Sequence, residues 1–170
     1  MQPPALDLPF DAEAMLPGLR RWVECESPTF DAAAVSRMMD VAARDLALLG
    51  ARIETVPGRM GYGPCVRATF PHPRAGAEPG VLVMGHLDTV HPAGTLSALP
   101  WRREGDRLYG PGVYDMKGGN WIALEAIRQL QRAGVATRRP VTVLLTSDEE
   151  VGSPSTRDLI EAEAARHAVV

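Results

Sequence analysis

Lysine is almost missing from this chain. Of its 18 basic residues, only Lys117 is a lysine. Arginine at every other basic position points either to a local demand for a compact ammonium at Lys117 or to a plain arginine bias. Cysteine is scarce too. Cys25 and Cys65 lie far apart, which excludes the dense disulfide framework of a small secreted domain and reads as a pair of buried, reduced thiols in a cytoplasmic protein. No apolar run approaches the roughly 20 residues a membrane helix needs, and no membrane association is expected. A net charge of -3 leaves no basic footprint for nucleic acid. Met1 to Phe10 has no Lys or Arg and no long apolar stretch, so it does not read as a secretory signal. Internal repeats and low-complexity segments are missing as well.

What is present is a chain of 170 residues, 45% hydrophobic, long enough for one domain with a real core. Asp11 to Glu24 reads as a first helix, with Pro17 confining its regular part to about Leu16 onward. Ser27-Pro28-Thr29 breaks it. Asp31 then caps a longer helix with Val35, Met38, Met39, Ala42, Leu46 and Leu49 as its apolar stripe and Gly50 as its stop. Ala51 to Val56 and Cys65 to Phe70 read as strands joined through Gly58, Gly61 and Gly63. Pro71 to Gly80 is a surface loop in which His72 is expected to be solvated. Val81 to Met84 and Val141 to Leu145 are continuous apolar runs, the mark of strands buried on both faces. Between them lies a helix from Lys117 or Gly118 to Ala133, closed by Gly134. Ser153 or Ser155 is expected to cap a last helix carrying Leu159 and Ile160, and Ala168 to Val170 opens another strand. Helices alternating with buried strands predict an α/β three-layer sandwich with a mixed, largely parallel central sheet.

Three segments carry the chemistry. His86 and Asp88 follow the first buried run. In extended chain they point to the same side, at the carboxyl end of a central strand where open α/β sheets place ligands. An imidazole beside a carboxylate suits a metal ligand with its orienting partner; taken alone, His-x-Asp is a weak signal that more often marks a structural histidine. Asp115 follows Gly110-Pro111-Gly112. These glycines lack the third glycine of a dinucleotide fingerprint and the Walker lysine-serine pair, so they read as a strained loop that thrusts a carboxylate into a cleft. Asp148-Glu149-Glu150 follows the second buried run. Such a run is usually a solvated turn, but beside His86 its charges would crowd at a cost unless a cation sat among them.

Together these segments resemble the M20 metallopeptidases, above all the glutamate carboxypeptidase-like branch. The resemblance rests on Gly85-His86-Leu87-Asp88-Thr89-Val90, on Pro100 to Asp106, on Gly110 to Gly119 and on Thr146 to Ser153. It implies a zinc-peptidase-like fold and a zinc-dependent hydrolase of peptide or N-acyl amino-acid amide bonds, with release of C-terminal glutamate among the reactions implied. His86 would ligate one zinc and Asp88 orient its ring. Asp115 would bridge a pair of zinc ions, in a loop that often holds a non-proline cis peptide after the aspartate. Glu150 would ligate the second zinc, for which cobalt could substitute. Glu149 would be the general base and acid, with Asp88 and Glu149 as the catalytic carboxylates.

Measured against that resemblance, a further carboxylate ligand, a last histidine ligand and a lid domain that mediates dimerisation are not found. The expectation is therefore that residues 1–170 are the N-terminal portion of the catalytic domain of a homodimeric parent. His72, His91 and His167 do not match the missing positions and read as structural or solvated. The alternative is a non-catalytic remnant that binds metal weakly or associates with a partner chain.

Overall fold

The computed structural model describes residues 8–170; Met1 to Asp7, most of the stretch considered as a signal, lie outside the described residues. Helix α1 spans Ala12–Glu24 and starts four residues earlier than Pro17 suggested. The Asp11 carboxylate accepts from the Glu13 and Ala14 N–H groups, which fixes the first turn there. Pro17 then removes a single backbone donor without displacing the start of the helix. Helix α2, Ala32–Leu48, is capped by Asp31 through the Ala34 N–H. Its stripe of Val35, Met38, Met39, Ala42 and Leu46 is buried, with Leu49 packed at the margin.

Seven strands follow: β1 Arg52–Val56, β2 Cys65–Thr69, β3 Gly80–His86, β4 Arg102–Glu104, β5 Arg107–Tyr109, β6 Val141–Thr146 and β7 His167–Val169. Helix α3, Gly118–Arg132, crosses between β5 and β6, and α4, Arg157–Ala164, lies between β6 and β7. The main sheet has the order β1-β2-β6-β3-β7. The β1–β2 and β2–β6 pairs are antiparallel, whereas β3 is parallel to both β6 and β7. This is the mixed sheet expected. The β4–β5 hairpin forms a separate two-stranded ribbon that the sequence pattern did not show, each strand being only three residues long.

One face of the sheet carries Val66, Ala68, Val83, Val143 and Leu145, and packs with Trp22, Met38, Met39, Leu46 and Leu124 of α1, α2 and α3 into the main core. The other face is crossed by α4, whose buried Glu163 pairs with Arg67 of β2 at 2.8 Å. On that face Leu82 and Leu144 are buried, whereas Met84 is 40% exposed. The apolar run of β6 is thus buried on both faces, as expected, and β3 departs from the expectation at Met84, where the eight-residue α4 leaves the strand open.

Three smaller expectations are corrected. Thr156, not Ser153 or Ser155, occupies the N-cap of α4, and its hydroxyl is committed to Asp148 rather than to the helix. His72 is half-buried and bridges two loops through Thr137 O and the Arg74 N–H. Cys25 is only half-buried, although both cysteines are free thiols. Among the described residues, no helix is long and apolar enough to cross a membrane.

Candidate metal centre

The parallel pairing of β3 with β6 aligns His86 with Thr146, so both strands deliver their following residues to the same end of the sheet. His86 is the last residue of β3 and is 3% exposed. Its backbone carbonyl accepts from Asn120 Nδ2 at 2.7 Å. That clasp passes over Gly85, where a Cβ would lie 2.0 Å from Asn120 Oδ1. Asp115 comes from a π-turn, Val113–Lys117, entered from Gly112 at φ 66°. A side chain at Gly112 would meet Thr89 Cγ2 at 2.6 Å, so glycine permits both the turn and the close approach to the segment after β3. The Asp115–Met116 peptide is cis.

Beyond β6, the fully buried Asp148 carboxylate accepts from the Ser155 N–H at 2.6 Å and the Thr156 hydroxyl at 2.5 Å. The chain is thereby turned tightly, and Glu149–Val151 forms a 3-10 turn at the strand exit. Of the three acids, one is structural and two face the cleft.

His86, Asp115 and Glu150 each offer a ligand atom, and these atoms lie within 4.8 Å of one another. His86 Nε2 is 3.0 Å from Asp115 Oδ1 and 3.7 Å from Glu149 Oε2. The other ring nitrogen, Nδ1, is turned inward to Asp88, 3.0 Å from its backbone oxygen and 3.3 Å from its carboxylate Oδ1. Inward hydrogen bonding at Nδ1 leaves Nε2 as the nitrogen that faces the carboxylates.

Asp88 does more than face the ring. Its two carboxylate oxygens also accept from the Glu149 and Glu150 N–H groups, each at 3.3 Å, and from the Thr29 hydroxyl at 2.9 Å. It joins the exit of β3 to the exit of β6. Burial pushes its carboxyl up, but contacts with His86, Thr29 and the Glu150 N–H overrule burial and hold it below the usual range.

The electrostatics are lopsided. Four carboxylates, those of Asp88, Asp115, Glu149 and Glu150, surround one imidazole. Burial opposes charge on His86, yet Asp88 and Asp115 together raise it to about 9. Burial also raises Glu150, with Asp115, Asp88 and Glu149 adding to the shift against the opposing pull of His86. One imidazolium does not balance this group. A nitrogen and several carboxylate oxygens within a few ångströms form a donor set suited to zinc, and the crowding itself favours a cation. The residues therefore fit a metal.

All five residues singled out in the sequence meet at this sheet end. Thr29 and Asn120, which hold Asp88 and the His86 backbone, were missed. Thr29 was visible only as part of a helix-breaking Ser-Pro-Thr, and Asn120 only as one polar position of a helix; neither carries a local signal of its partner. His91 and His167 stand apart, and His167 is engaged with Glu163 O at 2.6 Å.

Residues 82–170 match the model of Peptidase family M20/M25/M40. Over 84 residues the chain is 48% identical to carboxypeptidase G2 of Pseudomonas sp. (strain RS-16), a stretch covering 49% of this chain and 20% of that protein. It is 37% identical over 91 residues to acetylornithine deacetylase of Myxococcus xanthus, covering 52% of this chain and 23% of the relative. In three dimensions it is similar to human carnosine dipeptidase 1, with a TM-score of 0.76 and 25% identity, over 91% of this chain and 36% of that one. The matched stretches thus span about a fifth to a third of these relatives' lengths.

Proposed function

The chain belongs to peptidase family M20/M25/M40, and from that premise we propose that it supplies part of the active site of a zinc-dependent hydrolase that cleaves peptide or N-acyl amino-acid amide bonds. Residues 1–170 then form the N-terminal portion of the catalytic domain, and the activity is that of the whole protein. The observation that carries the reading is the convergence of His86, Asp115 and Glu150 at one sheet end, with Glu149 beside them. The resemblance to carboxypeptidase G2 favours a carboxypeptidase-like reaction that releases a C-terminal amino acid, glutamate among them.

Bound zinc would supply Lewis-acid chemistry, drawing charge from a carbonyl oxygen and making water a stronger acid near neutral pH. This chain's own residues do the rest. His86 Nε2 and the carboxylates of Asp115 and Glu150 would help hold the two zinc ions. Asp88 keeps the His86 ring turned, with Nδ1 inward and Nε2 outward. Glu149 is exposed at the cleft and its carboxylate accepts no hydrogen bond among the described residues, so it is free to take a proton from water and return it to the departing amine.

The test is hydrolysis by the whole protein of a panel of N-acyl amino acids and dipeptides, before and after chelation and after zinc is restored. Turnover that is lost on chelation and returns with zinc or cobalt supports the reading. A panel that is never cleaved, by protein shown to contain zinc, would leave a metal-binding remnant instead.

A further inference from the structure

The segment between α1 and α2 contributes none of the proposed ligands, yet it touches the segments of His86 and Asp115 and reaches that of Glu150 through Asp88. At Cys25, the C-cap of α1, the backbone carbonyl accepts from Lys117 Nζ at 2.8 Å. Lys117 is two residues beyond Asp115, and its side chain is fully buried. Ser27 Oγ donates to Leu87 O at 2.6 Å, and Ser27 O accepts from the Thr89 N–H at 2.9 Å. The Thr29 N–H donates to Thr89 O at 3.1 Å, so the backbone here runs as a short parallel bridge beside the residues that follow His86. The Thr29 hydroxyl donates to Asp88 Oδ2, the same oxygen that accepts the Glu150 N–H.

We propose that Cys25–Thr29 is a brace that sets the three ligand-bearing segments relative to one another, with Thr29 and Lys117 as its positioning residues. The inference rests on the metal reading of the site. Its physical basis is that the three segments are distant in sequence and leave different elements, so nothing local fixes the span from Asp115 to His86 or to Glu150. Lys117 ties the Asp115 turn to the end of α1. Thr29 limits rotation of the Asp88 carboxylate, which in turn faces His86 Nδ1 and holds the Glu149 and Glu150 N–H groups. Without the hydroxyl, Asp88 Oδ2 keeps only the longer bond from Glu150, and the ring and the turn lose a common reference. Partners one shell out from the metal typically change affinity by about 10–100-fold.

The experiment measures zinc affinity of the whole protein by competition with a chromophoric chelator, together with the visible spectrum of the cobalt-substituted form. Thr29→Val keeps the shape and removes the donor, and zinc affinity is expected to fall by roughly tenfold; Thr29→Ser restores most of it. Lys117→Met should give a comparable loss and a changed cobalt spectrum. Asp45→Asn is the comparison for simple destabilisation. It loosens the buried contacts of Asp45 with Arg21 and Trp22, and should lower the melting temperature while leaving zinc affinity unchanged. If Lys117→Met does not fold, the Thr29 pair decides. Folded Thr29→Val and Lys117→Met with wild-type zinc affinity and cobalt spectra overturn the brace. Wild-type protein that takes up no zinc overturns the metal reading, and the brace with it.

Discussion

Zinc affinity of this site should keep climbing with pH well beyond the range of an ordinary histidine. A ligating imidazole must be neutral, so the proton on His86 competes with the metal. Burial works against that proton, but the Asp88 and Asp115 carboxylates retain it up to about 9. At pH 7 the neutral ring is then about one part in a hundred, and apparent affinity stands about 100-fold below its limit. It recovers about tenfold for each pH unit and levels off only near pH 9. A histidine at its ordinary value would cost less than about twofold at pH 7. The assay is a series of zinc titrations against a chelating dye from about pH 6 to about pH 10, at constant ionic strength and corrected for the dye's own protonation. Asp88→Asn removes the stronger of the two upward pulls on His86, so its curve should level off at lower pH. A wild-type curve already flat by pH 7 would refute the reasoning, since it would mean that the carboxylates around His86 do not hold its proton.

Other consequences can be measured directly. Glu149→Gln should keep zinc and lose about 10²–10⁴-fold in turnover, because an amide cannot take a proton from water, whereas Glu150→Gln should lose zinc affinity first; exchanged phenotypes in paired metal-content and rate measurements would reverse the assignment. Burial pushes Lys117 down to about 8, against the pull of Cys25 and Glu26. The unfolded chain therefore binds the extra proton between about pH 8 and pH 10.5, and wild type should gain up to about 3 kcal/mol over Lys117→Met as pH rises through that window. Parallel denaturation curves for the two proteins would contradict this. Gly112→Ala forces a Cβ into the left-handed region and onto Thr89, and should cost about 1–3 kcal/mol in urea unfolding.

Much of the architecture was legible because its causes are local. Asp31 and Gly50 mark the ends of α2 by capping chemistry, and the stripe from Val35 to Leu46 follows from the 3.6-residue period alone. The runs before His86 and Asp148 are apolar over several residues, which identifies sheet interior without knowledge of any partner. His86, Asp88, Asp115, Glu149 and Glu150 could be named in advance because each sits at a strand exit or a glycine turn. The misreadings have local causes too. Pro17 was given more weight than the Asp11 cap, and burial of Met84 was assumed from its neighbours although only contact with another layer produces it.

By itself, then, the sequence determined which residues are chemically able to form the site and which elements deliver them, since period, capping and turn chemistry act over a few residues. Tertiary structure alone decided that those residues meet. The parallel register of β3 and β6 aligns His86 with Thr146, and the buried Asp148 turns the next acids back toward the ring. It alone also decided what holds them: Thr29 on Asp88, Asn120 on the His86 carbonyl, and Lys117 on the end of α1. Those contacts join residues dozens of positions apart, and a threonine, an asparagine or a lysine carries no mark of its partner until packing removes water from both.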